Sequence, residues 1–272
     1  MPFRSLGHQL QVFEFNSLTR LAGVRHFVST RAGGGSLAPH RGLNLSFRVG
    51  DDPAQVLENR RCLFAAAGIP IEHVVACQQV HAAHVASVDL SARGRGASDF
   101  ESGLPNTDAM VTATPGICLM MLAADCVPVL TFDPVAGVVG IAHAGWRGTV
   151  RGVAGALLAR MHEEFGSDPA QVIAAIGPSI GPDDYEVGLE VIEAVREAFP
   201  TSWAHLVRES PDGKGFLDLW QANVLQLRAA GVRPEHIEVA GISTYHTTET
   251  FFSDRREGPG SGRFAACIEL TS

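Results

Sequence analysis

Short apolar runs separated by turn-forming residues follow one another through the middle of the chain. The densest series spans residues 74–142, and its turns are marked by Pro115-Gly116 and Asp133-Pro134. Short runs rich in β-branched residues and bounded by Pro, Gly and Asp are typical of buried β-strands. The most apolar stretch, residues 116–132, is too short for a membrane-spanning helix and contains Asp125, so it also predicts strands.

Strands and amphipathic helices are interleaved along the sequence. The predicted strands are residues 12–15, 24–29, 74–77, 84–88, 109–112, 117–122, 127–132, 138–142, 172–176, 237–240 and 264–270. Helices are predicted from Asp51 or Asp52 to Gly68, over residues 149–165, up to Phe199, and from Asp218 to about Gly231. Because no linker or repeat divides the sequence, we expect one mixed α/β domain over residues 1–272.

Composition and charge narrow the function classes. Hydrophobic residues make up 46% of the chain and charged residues 18%, which is typical of a folded globular protein. The net charge of −8 and the lack of a Lys/Arg run argue against a nucleic-acid groove. The odd number of cysteines, without a C-x-x-C pair, and an N-terminus unlike a signal peptide predict a cytoplasmic protein with no disulfide framework.

Three potential metal ligands lie next to predicted strands. Cys126 precedes one strand, His143 follows the next, and His81 comes after the strand over residues 74–77. If the first two strands are neighbours, Cys126 and His143 meet at one sheet edge. Two imidazoles and one thiolate suit Zn²⁺, and three protein ligands leave a position for water or substrate. Spacing alone leaves ordinary packing open as an alternative, because no C-x-x-C or H-E-x-x-H motif is present.

A glycine turn follows His143 and leads into a predicted helix. Gly145 and Gly148 let backbone N–H groups and the helix N-terminus face an anion, and Arg147 is placed to clamp it. A tight turn carrying a surface arginine fits the same residues. The turn therefore leaves both an anion site and a structural role open.

A series of segments carries a specific family resemblance. The segments are QVH at 79–81, AADCVP at 123–128, GVVGIAHAGWRG at 137–148, IGPSIGP at 176–182, YEVG at 185–188 and FFSDRR at 251–256. In this order they resemble the bacterial polyphenol oxidase or laccase-domain family, also called peptidoglycan editing factors. The resemblance extends from about Arg25 to the C-terminus.

This resemblance implies a fold and an activity. The expected fold is a four-layer α/β/β/α arrangement with mixed sheets, similar to the catalytic domain of cytotoxic necrotizing toxins. The implied zinc site, carried onto His81, Cys126 and His143, is also the catalytic site. The implied activity is zinc-dependent phosphorolysis of adenosine, inosine and methylthioadenosine, with adenosine deaminase activity. The expected partners are thus a small nucleoside and phosphate, and the sequence identifies no protein partner.

Substrate contacts are less constrained than the metal ligands. We expect Arg147, with Arg48 or Arg256, to hold phosphate or ribose oxygens. Asn44 and Arg48 lie in the segment GLNLSFR at 42–48, and they suit either substrate contact or the capping and solvation of a loop.

Other functions use the same residues. A multicopper laccase needs roughly ten histidine ligands, many in H-x-H pairs, and the sequence has no H-x-H, so zinc is expected before copper. A cysteine or zinc hydrolase that edits mis-made peptidoglycan precursors would use Cys126 as nucleophile or ligand and His143 as base. A non-enzymatic binding module would use the metal as a structural staple.

Overall fold

The computed structural model describes residues 2–7 and 9–271 of the chain. Its strands, in chain order, are β1 (Phe3–Gly7), β2 (Leu10–Phe13), β3 (Val24–Ser29), β4 (Val74–Ala76), β5 (Val85–Ser87), β6 (Ala109–Thr112), β7 (Cys118–Ala123), β8 (Val127–Asp133), β9 (Val138–Ala144), β10 (Ile173–Ile176), β11 (Glu186–Val187), β12 (Val207–Glu209), β13 (Gly215–Leu217), β14 (Ile237–Val239) and β15 (Phe264–Leu270).

The helices lie between these strands. They are α1 (Asn16–Thr19), α2 (Pro53–Ala66), α3 (Trp146–Val150), α4 (Val153–Phe165), α5 (Leu189–Ala198), α6 (Trp203–Leu206), α7 (Leu219–Ala229) and α8 (Asp254–Glu257). Asp52 caps α2, as predicted, by accepting a hydrogen bond from the Ala54 N–H. Over the described residues, none of the helices has both the length and the apolar character needed to cross a membrane.

Two six-stranded sheets form the centre of the molecule. The first has the order β1-β2-β3-β15-β7-β4, and the second has the order β14-β10-β8-β9-β6-β5. Both are mixed, because β4 and β7 pair in parallel in the first sheet, β10 and β14 and also β5 and β6 do so in the second, and the remaining pairs are antiparallel. A small third sheet has the order β11-β13-β12.

The cores divide the molecule into four layers. Leu63 and Phe64 of α2 pack on the outer face of the first sheet together with Met120. Leu119 and Met120 are neighbours in β7, so Leu119 points to the opposite face, into a core that the two sheets share. Leu157 of α4 packs on the outer face of the second sheet, where α5 and α7 add further apolar side chains. The predicted mixed α/β fold is confirmed, whereas its likeness to the toxin domain stays a prediction.

One local prediction needs correction, and four strands were not predicted. The helix predicted over residues 149–165 is interrupted, because Gly152 adopts a left-handed conformation (φ +80°) that ends α3 and begins α4. The strands β1, β11, β12 and β13 were not predicted, since three of them span only two or three residues and so are too short for a periodic signal.

Candidate metal centre and cavity

Two of the three predicted metal ligands lie where the chain passes from the first large sheet to the second, and the third lies near the end of a strand of the second sheet. His81 lies in the segment that leaves β4 of the first sheet for β5 of the second. Cys126 lies in the segment that leaves β7 for β8. His143 is near the end of β9, opposite Pro128 of β8 in the antiparallel register. The entry of β8 and the exit of β9 therefore share one edge, as the sequence predicts.

The donor atoms of this cluster are close enough to share one ion. The ligand atoms of His81, Cys126 and His143 all lie within 4.8 Å of one another, and Cys126 Sγ is 3.8 Å from His81 Nε2. Tetrahedral zinc with bonds of ~2.0–2.3 Å requires ligand atoms roughly 3.3–3.8 Å apart. Within the described part of the chain, this is the one group of three or more His, Cys, Asp or Glu side chains with such proximity. The donor set thus fits zinc after a contraction of about an ångström or less.

Asp108 orients two of the three ligands. Its buried carboxylate accepts a hydrogen bond from His143 Nδ1 at 3.0 Å and from the backbone N–H groups of Val80, His81 and Ala82 at 3.0, 3.0 and 2.8 Å. Burial alone would raise the pKa of Asp108, but these donors outweigh it and hold the pKa below its usual value. The bond at Nδ1 leaves His143 Nε2 free for a metal, as in carboxylate–histidine–zinc sites.

The cluster also changes the acidity of its thiol. Burial would raise the pKa of Cys126, but the charge and hydrogen bond of His143, with a smaller contribution from His81, lower it below the usual thiol value. The pKa of His143 moves upward, because Cys126 and Asp108 outweigh the effect of burial. A thiolate is therefore accessible near neutral pH, and a thiolate is the form that binds metal.

Unusual backbone conformations hold the ligands in place. His81 has φ +59°, and Asp125, directly before Cys126, has φ +84°. Such conformations are costly outside glycine and persist only where surrounding contacts determine them. The Asp125 carboxylate accepts hydrogen bonds from Thr244 Oγ1, Ser253 Oγ and the Arg255 N–H at 2.6, 2.8 and 2.6 Å.

Gly145 is required by close packing. A Cβ at this position would lie 2.8 Å from Cys126 Sγ and 2.9 Å from His81 Cδ2, although its φ of −66° suits any residue. The glycine of the turn therefore makes room for the ligands themselves.

Two glutamine side chains fasten the His81 segment, one to the first sheet and the other to the loop between β5 and β6. Gln79 donates to the Leu122 carbonyl at 2.8 Å and accepts from the Leu122 N–H at 2.9 Å, so its amide pairs with β7 as a strand would. Gln78 donates to the carbonyls of Phe100 and Glu101. Together with Asp108, these contacts fix the position of His81.

A cavity of about 510 Å³ opens at the cluster. Cys126, His81 and His143 belong to its lining together with neighbouring residues of their own segments. The lining also includes residues from several other segments: Ser46, Phe47, Arg48, Val49, Arg60, Gly96, Asp99, Phe100, Gly103, Asp254 and Arg263. The volume suits a drug-sized small molecule.

The predicted substrate-binding residues have different positions. Arg48 lines the cavity, and its guanidinium stacks on Phe100 at 4.7 Å. Asn44 is fully buried, and its side chain bonds Asp51 and the backbone of Ser46 and Arg263, which gives it a structural role.

Arg147 and Arg256 do not contribute to the lining of the cavity formed by the described residues. Arg147 is half exposed, stacks on Trp146 at 4.2 Å and lies 3.8 Å from Glu190. Arg256 is exposed and donates to Tyr245 Oη at 3.1 Å. The geometry matches the structural alternative for Arg147 better than the anion clamp.

Sequence reasoning missed three residues of this site, Asp108, Arg60 and Arg263. Asp108 directly precedes the apolar strand β6, and Asp125 lies two residues before β8. An acidic residue at the start of an apolar strand could therefore have indicated Asp108 as a site residue. Arg60 follows the apolar spacing of Val56 and Leu63 on α2, so a cation on the buried helix face could also have been noticed. Arg263 carries no local signal.

Comparison with known proteins places the chain in a family. A family described as multi-copper polyphenol oxidoreductase laccase matches residues 25–271. The chain therefore belongs to this laccase-like family, as the sequence motifs predicted.

Individual relatives cover nearly the whole chain. The chain is 41% identical to "Purine nucleoside phosphorylase YlmD" of Geobacillus stearothermophilus over 247 residues, covering 91% of this chain and 90% of that protein. It is 38% identical to "Adenosine deaminase RL5" of an unknown prokaryotic organism, covering 89% and 92%. The crystal structure of YlmD from Geobacillus stearothermophilus superposes with a TM-score of 0.94 at 38% identity, covering 100% of this chain and 99% of that one.

Proposed function

We propose that this protein is a zinc-dependent purine nucleoside phosphorylase, acting on adenosine, inosine and methylthioadenosine, with adenosine deaminase activity at the same site. The observation that carries the proposal is the His81, Cys126 and His143 cluster in the wall of a cavity of about 510 Å³. Relatives that match most of the chain are named as a purine nucleoside phosphorylase and as an adenosine deaminase, which supports these two classes of activity. The proposal also includes a cytoplasmic location for the protein.

The residues of the chain have distinct roles in this proposal. His81, Cys126 and His143 would hold the zinc, which supplies Lewis acidity and lowers the pKa of bound water. Asp108 keeps His143 in the tautomer that presents Nε2 to the metal. Arg48, stacked on Phe100 in the cavity lining, is suited to hold phosphate or ribose oxygens.

Metal analysis combined with a nucleoside panel tests the proposal. We expect one zinc per chain, release of hypoxanthine from inosine only when phosphate is present, and conversion of adenosine to inosine without phosphate. A chelator should remove activity before it lowers the unfolding temperature, because an open three-ligand site contributes less to folding than a closed structural site. A metal-replete protein that leaves every nucleoside unchanged would refute the proposal.

A hydrolase that edits peptidoglycan precursors is the second candidate. It is favoured by the chain of Cys126, His143 and Asp108, in which a thiol of lowered pKa contacts a histidine that a carboxylate orients. A nucleophilic Cys126 would be trapped by iodoacetamide with loss of precursor cleavage in the metal-free protein. Precursor cleavage without any nucleoside turnover would favour this candidate over the phosphorylase.

Copper oxidase chemistry has less support from the residues. A multicopper centre needs several clusters of histidines. The described residues bring together a single group, with two histidines and one cysteine. We therefore propose zinc as the resident metal, and copper as a replacement at the same three ligands.

A further inference from the structure

Arg60 is a cation buried between α2 and the first sheet. It is only 2% exposed, and it occupies the helix face that also buries Val56 and Leu63. Its guanidinium donates from Nε to the Leu45 carbonyl at 2.8 Å, and from Nη1 to the carbonyls of Gly96 and Ala97 at 2.6 and 2.9 Å. Its plane also stacks on Phe47 at 4.4 Å. These contacts fix its direction tightly.

The positive charge of Arg60 is not neutralised by a protein partner. All three hydrogen bonds go to neutral carbonyls, and within the described residues no carboxylate forms an ion pair with it. Asp99 acts on it from a distance, and its own oxygens accept hydrogen bonds from Ser102. Burial lowers the pKa of Arg60 to about 9, which is the direction expected for a cation without a counterion.

One nitrogen of Arg60 remains available to a ligand. Among the described residues, Nη2 donates to no acceptor. It also does not belong to the fully buried polar atoms without a partner, so it is accessible to a small molecule. Arg60 also lines the cavity that holds the metal cluster. Its free donor is therefore placed to reach the cavity that also contains the predicted zinc ligands.

The other two arginines of the cavity differ from Arg60, one because it forms an ion pair and the other because it is exposed. Arg263 pairs with Asp254 at 2.8 Å, and its Nη1 donates to Ser261 and Gly262. Arg48 is exposed at the rim and has no partner except the Phe100 ring, among the residues that the structure describes. Among the described residues, Arg60 is thus the buried cation of the cavity that forms no ion pair.

We propose that Arg60 binds orthophosphate, the second substrate of the phosphorolysis, and that Arg48 closes on the same anion from the rim. This inference rests on the proposed function. A neutral ribose hydroxyl would satisfy the Nη2 donor but would leave the charge uncompensated, whereas phosphate compensates both and suits the planar donor group of arginine.

The bound phosphate would act as the nucleophile. One of its oxygens forms a bond to C1′ of the nucleoside while the bond from C1′ to the purine nitrogen breaks. The electron pair of the broken bond goes to the purine, and the proton carried by hydrogen phosphate ends on that purine, so atoms and charge balance. Arg60 would hold the phosphate in position and stabilise its charge.

The test compares Arg60→Lys with Arg61→Lys in the zinc-loaded protein. Arg61 is the next residue of α2 and is exposed, so it controls for a charge-conserving change in the same helix. In Arg60→Lys we expect the KM for phosphate to rise about tenfold or more, since one charge-assisted hydrogen bond is lost, while the KM for inosine changes less than about twofold. Adenosine deamination, which uses water, should remain in both variants.

A phosphate-dependent rise of the unfolding temperature, measured without nucleoside, separates this inference from the proposed function. The rise should occur in the wild type and Arg61→Lys and be lost in Arg60→Lys, even if phosphorolysis itself is absent. Equal loss of phosphorolysis and deamination in Arg60→Lys, or an unchanged phosphate response, would overturn the inference. If Arg60→Lys does not fold, the test is a crystal of the wild type soaked in phosphate. Electron density for phosphate within hydrogen-bond distance of Arg60 Nη2 is expected, and phosphate bound elsewhere in the cavity would reject the assignment.

Discussion

The two sides of the cavity are built in different ways. On the metal side, His81 and Cys126 lie in segments that connect the two large sheets, and His143 lies near the end of β9. Asp108 joins His143 to the His81 segment through four hydrogen bonds. On the arginine side, Arg48 and Arg60 come from a loop and a helix of the first third of the chain, and neither is paired with a carboxylate of the described residues.

The metal side is therefore preorganised, whereas the arginine side has a positive charge without an ion pair among the described residues. The metal side satisfies its own polar groups, so its ligand atoms are already within 4.8 Å of one another. The arginine side holds a buried positive charge without an ion pair in the part of the chain that the structure describes, which a bound anion would compensate. Substitutions on the metal side should therefore affect metal content and all activities together, whereas those on the arginine side should affect the anion alone.

The largest effect is expected from Cys126→Ala. Loss of the thiolate leaves two imidazoles, so we expect zinc content near zero after dialysis and turnover of every nucleoside below about 1% of wild type. Atomic absorption and nucleoside assays measure both. Cys62→Ala is the matched control, because Cys62 is exposed on α2 and should retain zinc and activity.

Asp108→Asn should have the next largest effect. The asparagine amide keeps one acceptor oxygen, but its NH₂ group replaces the other oxygen and faces N–H donors. The hydrogen bonds that join the His81 segment to His143 are therefore partly lost. We expect a roughly 10- to 100-fold loss of zinc affinity, which a competing chelator measures. Zinc affinity equal to wild type would mean that the ligands are oriented without Asp108, and the contrast between the two sides would weaken.

Gly145→Ala tests how tightly the metal side is packed. The added methyl group would meet Cys126 Sγ and His81 Cδ2 at less than van der Waals distance, so we expect zinc affinity to fall on the order of tenfold. Gly155→Ala is the matched control: Gly155 lies within α4 with nothing near its Cβ position, and alanine there should stabilise the fold by about 1 kcal/mol. Thermal unfolding and zinc titration of both variants check the pair.

The smallest effect is expected from Arg147→Ala. Its guanidinium is half exposed, and the distance of 3.8 Å to the exposed Glu190 gives a weak ion pair. We expect changes within about twofold in KM for phosphate and within about 0.5 kcal/mol in unfolding free energy. A phosphate KM raised as strongly as in Arg60→Lys would restore Arg147 as the anion clamp that the glycine turn suggested.

Part of the site could be predicted because its signals are local. The entry of one strand and the exit of the next are close whenever the two strands pair in an antiparallel hairpin, and this located Cys126 beside His143. His81 was grouped with them because it also follows a predicted strand, and the family motif implied the same residue. Asp108 and Arg60 were missed, because their roles depend on which backbone groups and charges surround them after folding.

The sequence by itself determined the alternation of strands and helices, the chemical type of the three clustered side chains and the family. Local patterns of apolar residues and turn formers carry that information, since each acts over a few positions of the chain. The tertiary structure alone decided which polar residues are satisfied. It buried Asn44 in internal hydrogen bonds, turned Arg147 to the exterior and left Arg60 in the cavity lining without an ion-pair partner among the described residues. The physical reason is that desolvation and charge compensation depend on groups distant in sequence, which only packing brings together.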